Sequence, residues 1–252
     1  MRELENRLKR ELQQNLNVKI MHSSMWSIPV HSIEAEYICV KRTKMDVLMK
    51  MMLIAFQKTT KINAEELSEL LLVEQLFIQD LIDLMQRTRL LEKIEDGYRL
   101  TDKGNQQLAN GIFEEEQEPE SNNILYSPSH EAFLQGELKE ATGEDELEVY
   151  RYVKEGYLDE ELSFEDETLI NALRINDADS GEGDVQTVIS EIVSSTDLYI
   201  DDIPCIEFIL HDKKQDILYA RVWNTLIERW DEKLENQLNE KERLDWRKTY
   251  LV

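Results

Sequence analysis

Asn63-Ala64-Glu65-Glu66-Leu67 opens the stretch on which the reading of this chain turns, and Gly97-Tyr98-Arg99-Leu100-Thr101-Asp102-Lys103-Gly104 closes it. Asn63 can accept from the amide three residues on, and Glu66 can reach back to the Asn63 amide, an asparagine version of the capping box. A tight connection at Leu72 to Glu74 follows. Phe77, Ile78, Leu81, Ile82 and Met85 then recur at helical spacing and predict a second helix. Leu90-Leu91-Glu92-Lys93-Ile94 and Tyr98-Arg99-Leu100-Thr101 flank Glu95-Asp96-Gly97, a hairpin turn whose glycine takes a positive φ at little cost. Thr101 caps a last helix that Gly111 can end. Upstream, Met45, Leu48, Met49, Met52, Leu53 and Phe56 share one face of a helix over 45–57. Its methionines would suit an adaptable groove, but such a stripe more often packs a core.

This order of helices and hairpin resembles the winged helix-turn-helix domains of MarR- and PadR-like regulators, and the closing Gly-Tyr-x-Leu-Thr-x-x-Gly pattern is its most specific part. The resemblance covers residues 45–111 only. One departure is visible: Leu71-Leu72-Val73-Glu74 stands where such domains usually carry a glycine. The resemblance implies either DNA reading by the second helix of the motif or, as winged helices also do, protein docking.

Charge separates the chain into two halves. Residues 1–110 hold 16 Lys/Arg and 16 Asp/Glu, whereas 111–252 hold 13 and 37 and so carry the whole net charge of −24. Such a surface repels nucleic acid beyond the N-terminal half and suits solvation or basic protein partners. No apolar run approaches the roughly 20 residues of a membrane span, and the acids of Met1-Arg2-Glu3-Leu4-Glu5 interrupt any signal-peptide core. A cytoplasmic protein is expected, with Cys39 and Cys205 as buried reduced thiols.

Outward from the central stretch, Leu4, Leu8, Leu12 and Leu16 predict an amphipathic N-terminal helix. Met25 to Val30 reads as irregular, and Ile33, Ala35, Tyr37 and Cys39 alternate as a strand. Phe113 to Asn123 reads as an acidic linker, and Ile124 to Leu134 as a docking segment. Helices are expected over 144–157, from Glu167 to Arg174, and over 185–192. Ile203 to Leu210 and Ile217 to Val222 predict a β-hairpin, and Trp223, Ile227, Trp230, Leu234 and Leu238 a long final helix.

The candidate sites are few. The second helix of the motif offers Asp80 and Asp83 to a partner, and Trp246 lies among charges as an interface anchor. If the chain binds DNA, Lys41, Arg42, Lys44, Arg87, Arg89 and Arg99 must form one basic surface, although the acidic second helix disfavours it. Asp177 and Asp179 match two positions of a calcium loop, but Glu182 and Val188 occupy positions that need Gly and Glu. Asp202, Asp212 and Lys214 could serve a metal-dependent nuclease if they converge. His211-x-Lys213 begins a phospholipase-type motif that Leu218 breaks. His22, His31, His130 and His211 have no metal-ligand spacing.

The expectation is an α+β protein: an N-terminal winged-helix domain (1–112), an acidic linker and docking segment (113–143), and a smaller acidic α+β domain (144–252) with a β-hairpin and a long C-terminal helix. It is expected to be a non-enzymatic adaptor or regulatory subunit, without catalytic residues, metal or cofactor, that meets protein partners bearing basic surfaces. A homodimer is compatible with it. A DNA-binding transcription regulator and a metal-dependent nuclease are the alternatives.

Overall fold

In a computed structural model, the chain is described except for residues 60, 96, 139–146, 155, 159–161, 177–184 and 252 and the side chains of 175, 176 and 185. In chain order the elements are α1 (Arg2–Leu12), β1 (Val18–Lys44), α2 (Val47–Lys58), α3 (Ala64–Leu71), α4 (Gln75–Arg87), β2 (Leu91–Ile94), β3 (Gly97–Leu100) and α5 (Asp102–Asn110). They continue with β4 (Ile112–Glu116), β5 (Glu120–Ser127), β6 (Ala132–Leu134), α6 (Asp166–Asn176), β7 (Val185–Asp212), β8 (Ile217–Asn224), β9 (Arg229–Trp230) and α7 (Glu232–Tyr250). Among the described residues one mostly antiparallel sheet has the order β6-β5-β1-β7-β8-β9, with β4 also on β1, and β2 pairs with β3 separately.

This overturns the expected fold class. The chain is not an N-terminal winged helix followed by an acidic C-terminal domain. Its frame is a sheet with strands of 27 and 28 residues, β1 and β7, and the helical stretch leaves and re-enters that frame. Val40 to Lys44 of β1 pair antiparallel with Glu116 to Ile112 of β4, so 45–111 is an excursion between two bonded strands. Two compact units result: Met1–Ala35, Asn122–Asn176 and Ser195–Val252 form unit 1, and Glu36–Ser121 with Asp177–Ser194 form unit 2. Neither unit is a single run of chain.

In unit 1 the alternation along β7 serves two apolar layers. Ile203, Cys205 and Ile209 join Trp26, Ile28, Val30, Leu218, Ala220, Val222 and α7 through Leu234, Leu238 and Trp246. Ile206, Phe208 and Leu210 join Leu8 of α1, with Leu4, Leu12, Trp223 and Trp230 at its margin. A strand covered on both faces loses its polar alternation. Accordingly Met25 to Val30, expected to be irregular, is part of β1, half-buried at Met25 and buried from Trp26 onward.

Other expectations need correction. Residues 185–192 are strand, in keeping with the β-branched Thr187, Val188 and Ile189. Among the described residues of 147–158 there is no helix; Ser27 N–H donates to Glu148 O and Tyr150 N–H to Ser27 O, laying this segment beside β1. Trp223 and Trp230 lie on β8 and β9, since the final helix starts only after the Asp231 side chain caps it at Leu234. The acidic stretch expected to be a linker carries β4 and β5.

In unit 2 the local signals act as read. Asn63 Oδ1 accepts from Glu66 N–H at 2.9 Å and Glu66 Oε2 from Asn63 N–H at 3.1 Å. Thr101 Oγ1 accepts from Gly104 N–H at 3.0 Å, and Gly111 ends α5 at φ 69°. A Cβ at Gly104 would meet Leu90 O at 2.3 Å, so only glycine lets α5 approach that backbone. Met49, Met52, Leu53 and Phe56 pack with Leu67, Ile78, Ile82, Met85 and Leu90, which makes the methionine stripe core.

Candidate functional site

The outer surface of the unit 2 helices is the first place to look, because its apolar content is unusual. On α2, Val47, Met51 and Ile54 are exposed at spacings of four and three, opposite the buried stripe. At the α3–α4 corner Leu70, Leu72, Leu76 and Phe77 are 64, 92, 68 and 52 % exposed. Residues 62–86 contain six carboxylates, Glu65, Glu66, Glu69, Glu74, Asp80 and Asp83, and no Lys or Arg. Asp80 and Asp83 both face solvent on α4, and Gln79 donates to Asp83 Oδ1 at 2.8 Å.

Three of the six cations required for DNA contact, and Lys103 beside them, are paired with glutamates. Arg42 Nε donates to Glu114 Oε1 at 2.8 Å, Arg99 Nε to Glu92 Oε1 at 2.7 Å, Lys103 Nζ to Glu116 Oε1 at 2.9 Å, and Arg87 lies 3.9 Å from Glu115. Three of these acids belong to β4, which the register sets beside β1: Lys41 faces Glu115 and Arg42 faces Glu114. Lys103 holds the Glu116 carboxyl below its usual range by hydrogen bond and charge. Arg89 sits in a left-handed turn at φ 59°. Arg42, Lys44 and Lys50 line a groove of about 620 Å³ with Met45, Val47 and Ile112.

Unit 1 holds two polar networks that the sequence reading missed. Glu207, buried on β7, accepts from Trp26 Nε1 at 2.6 Å and from both Arg151 Nη atoms at 2.8 and 3.1 Å, while Arg151 Nε donates to Glu242 of α7. Burial works against the Arg151 charge, but Glu207 and Glu242 outweigh it and raise its pKa. Burial would raise Glu242 as well, and Arg151, Tyr152 and Trp246 turn the net shift downward. A cleft of about 360 Å³ adjoins this cluster. Both carboxylates are committed to cations and indoles, so the arrangement ties α7 to the sheet. The available signal was Glu207 itself, a lone acid inside Ile206-Glu207-Phe208-Ile209-Leu210.

The second network is a Ser-His-Asp chain. Ser127 Oγ lies 2.8 Å from His130 Nδ1, and His130 Nε2 lies 2.9 Å from Asp231 Oδ2, which also accepts from Asn224 Nδ2 at 2.9 Å. Ser127 is fully buried and Asp231 caps α7, so no substrate reaches the hydroxyl. Burial would raise the Asp231 carboxyl, but His130, Asn224 and the Leu234 amide hold it below the usual aspartate range. Cys205 and Cys39 are buried thiols outside any disulfide, and burial, with Asp231, pushes the Cys205 thiol well up.

The remaining sequence candidates are scattered. Trp246, expected as an exposed anchor, is 5 % exposed in the unit 1 core and donates to Glu242. Its helix turns it inward with Leu234 and Leu238. Asp202 and Asp212 are ten residues apart on β7, roughly 33 Å at the rise of a strand, so they do not converge. Asp212 Oδ1 accepts from the Lys214 and Gln215 amides and closes the hairpin turn. The calcium-loop positions Asp177, Asp179 and Glu182 lie outside the described residues. Among the described residues no three His, Cys, Asp or Glu side chains gather as a metal site needs, and no helix is long and apolar enough to cross a membrane. Comparison with protein-family models, with curated proteins and with solved structures finds no match.

Proposed function

We propose that the protein is a non-enzymatic adaptor or regulatory subunit of the cytoplasm, and that residues 45–111 are a winged helix used to dock proteins rather than to read DNA. The observation that carries this reading is the helix-turn-helix surface itself: six carboxylates against a single cation, Arg87 at the far end of α4, and four large apolar side chains in water. A reading helix must come within hydrogen-bond reach of a groove walled by phosphates, where a face of that charge is repelled. Exposed apolar surface is what a protein partner covers, and it is costly to leave open. The pairing of Arg42, Arg87, Arg99 and Lys103 with glutamates supports the same reading.

A DNA-binding regulator remains the second reading, favoured only by Lys44 and Lys50 beside the α2 groove. Titration of labelled duplex DNA at rising salt separates the two. The adaptor reading expects no binding beyond weak association abolished at physiological salt, together with a stoichiometric protein partner that survives nuclease in a pull-down from the native host. Tight DNA binding with a steep salt slope and no protein partner would overturn it.

A further inference from the structure

We propose that the α3–α4 corner binds a basic amphipathic helix of a partner protein, with Leu70, Leu72, Leu76 and Phe77 seated on its apolar face and the surrounding carboxylates on its Lys/Arg flanks. This rests on the docking reading above and names its site and its partner chemistry.

The four side chains lie within eight residues, two at the end of α3 and two in the first turn of α4. Leu71 and Val73 between them turn partly into the core, which alternates the connection between inward and outward apolar residues. The corner is held in place: Ser68 Oγ donates to Val73 O at 2.6 Å, and Val73 N–H donates to Ser68 O at 3.2 Å. A surface held in its binding shape loses little freedom when a partner arrives. Exposed acids flank the patch on both helices, Glu69 and Glu74 beside the turn and Asp80 and Asp83 further along α4.

Charge selects the occupant. A second copy of this chain would set these carboxylates against their own kind, and an anionic membrane would meet the same repulsion. A helix with leucines on one face and lysines or arginines beside them satisfies both the apolar centre and the acidic rim, the groove-and-helix mode of peptide recognition. Leu72 adds an argument of its own. It occupies a left-handed helix end, φ 55° and ψ 42°, where glycine or asparagine fits without strain, yet it is the most exposed of the four. Its side chain does not pack against its own chain and is open to a partner.

The test uses the full-length protein and a fluorescein-labelled synthetic helix of Leu, Lys and Ala with its leucines in one stripe. Two controls carry the same composition scrambled and the same stripe with Glu for Lys. Fluorescence anisotropy should show binding of the Lys helix alone, weakened at least about tenfold by Leu72→Ser with Phe77→Ser. Both substitutions are at exposed positions, and circular dichroism verifies that the variant is folded. Amide shifts on titration should concentrate in α3 and α4.

Equal binding of the scrambled peptide, or an unchanged affinity in the variant, would reduce the effect to attraction by an acidic chain and overturn the proposal. Self-association of the wild type that the variant abolishes would make a second copy the occupant and overturn it too. If the peptide fails while the nuclease-treated pull-down retains one partner equally on wild type and variant, this surface is wrong and the adaptor reading stands. An empty pull-down with tight DNA binding would sink both.

Discussion

Leu72→Asn should stabilise unit 2 while weakening docking, an outcome that separates a side chain kept for folding from one kept for a partner. An L-residue in the left-handed region costs about 1–2 kcal/mol, whereas asparagine visits it at little cost. Leu72 is 92 % exposed. With about 2 kcal/mol for complete burial of a leucine, the packing forfeited is about 0.2 kcal/mol. The balance is a gain of about 1 kcal/mol, which urea unfolding resolves as a higher midpoint at unchanged slope. Far-UV circular dichroism follows the helices of both units. All four tryptophans, Trp26, Trp223, Trp230 and Trp246, belong to unit 1 and provide an internal control. If the units unfold separately, the dichroism transition rises and the fluorescence transition stays; if they unfold together, both rise. A fall of about 0.5 kcal/mol or more would show that Leu72 packs in the folded chain, and the reasoning from its exposure would fail.

Other expectations follow from the same geometry. Gly104→Ala drives a methyl into the Leu90 carbonyl and should cost unit 2 about 2 kcal/mol or more, read by circular dichroism, with the fluorescence transition as comparison. Arg151→Met leaves the buried Glu207 carboxylate without its cation and should cost about 2–4 kcal/mol; Arg151→Met with Glu207→Leu should recover much of it, giving a large coupling in a double-mutant cycle. Asp231→Ala removes the α7 cap and strands His130 and Asn224, for about 2–4 kcal/mol at neutral pH. Because the folded Asp231 pKa lies below its unfolded value, its stabilisation is complete above the ordinary aspartate pKa and is lost as the pH falls through the lower, folded one. The deficit of Asp231→Ala, measured by tryptophan fluorescence, should therefore shrink on acidification below about pH 4.

What the sequence determined by itself is local. The capping box at Asn63 and Glu66, the Thr101 cap, the Gly111 terminus, the methionine stripe of α2 and Leu4, Leu8 and Leu12 of α1 are each written within about one or two helical turns, where the physics of caps and amphipathic faces operates. Leu16, expected on the same stripe, lies beyond the end of α1 and is 89 % exposed. The hairpin of β7 and β8 was legible for the same reason. The acidity of the second helix was visible too, since exposure there follows from helical phase, but the apolar corner was not: Phe77, counted with the stripe of Ile78, Ile82 and Met85, is 52 % exposed.

Tertiary structure decided the rest. Met25 to Val30 is strand because two layers cover it, and Trp223 and Trp230 are strand residues despite helical spacing, because the Asp231 cap delays the helix. The acids of 114–116 looked like a linker until β4 came to lie beside β1 and paired them with Arg42, Arg87 and Lys103. Glu207 with Arg151, and His130 with Asp231 across 101 residues, meet only when distant strands align. Local spacing encodes which face of a helix is apolar. It carries no record of which remote segment closes over a strand, and burial, pairing and register depend on that.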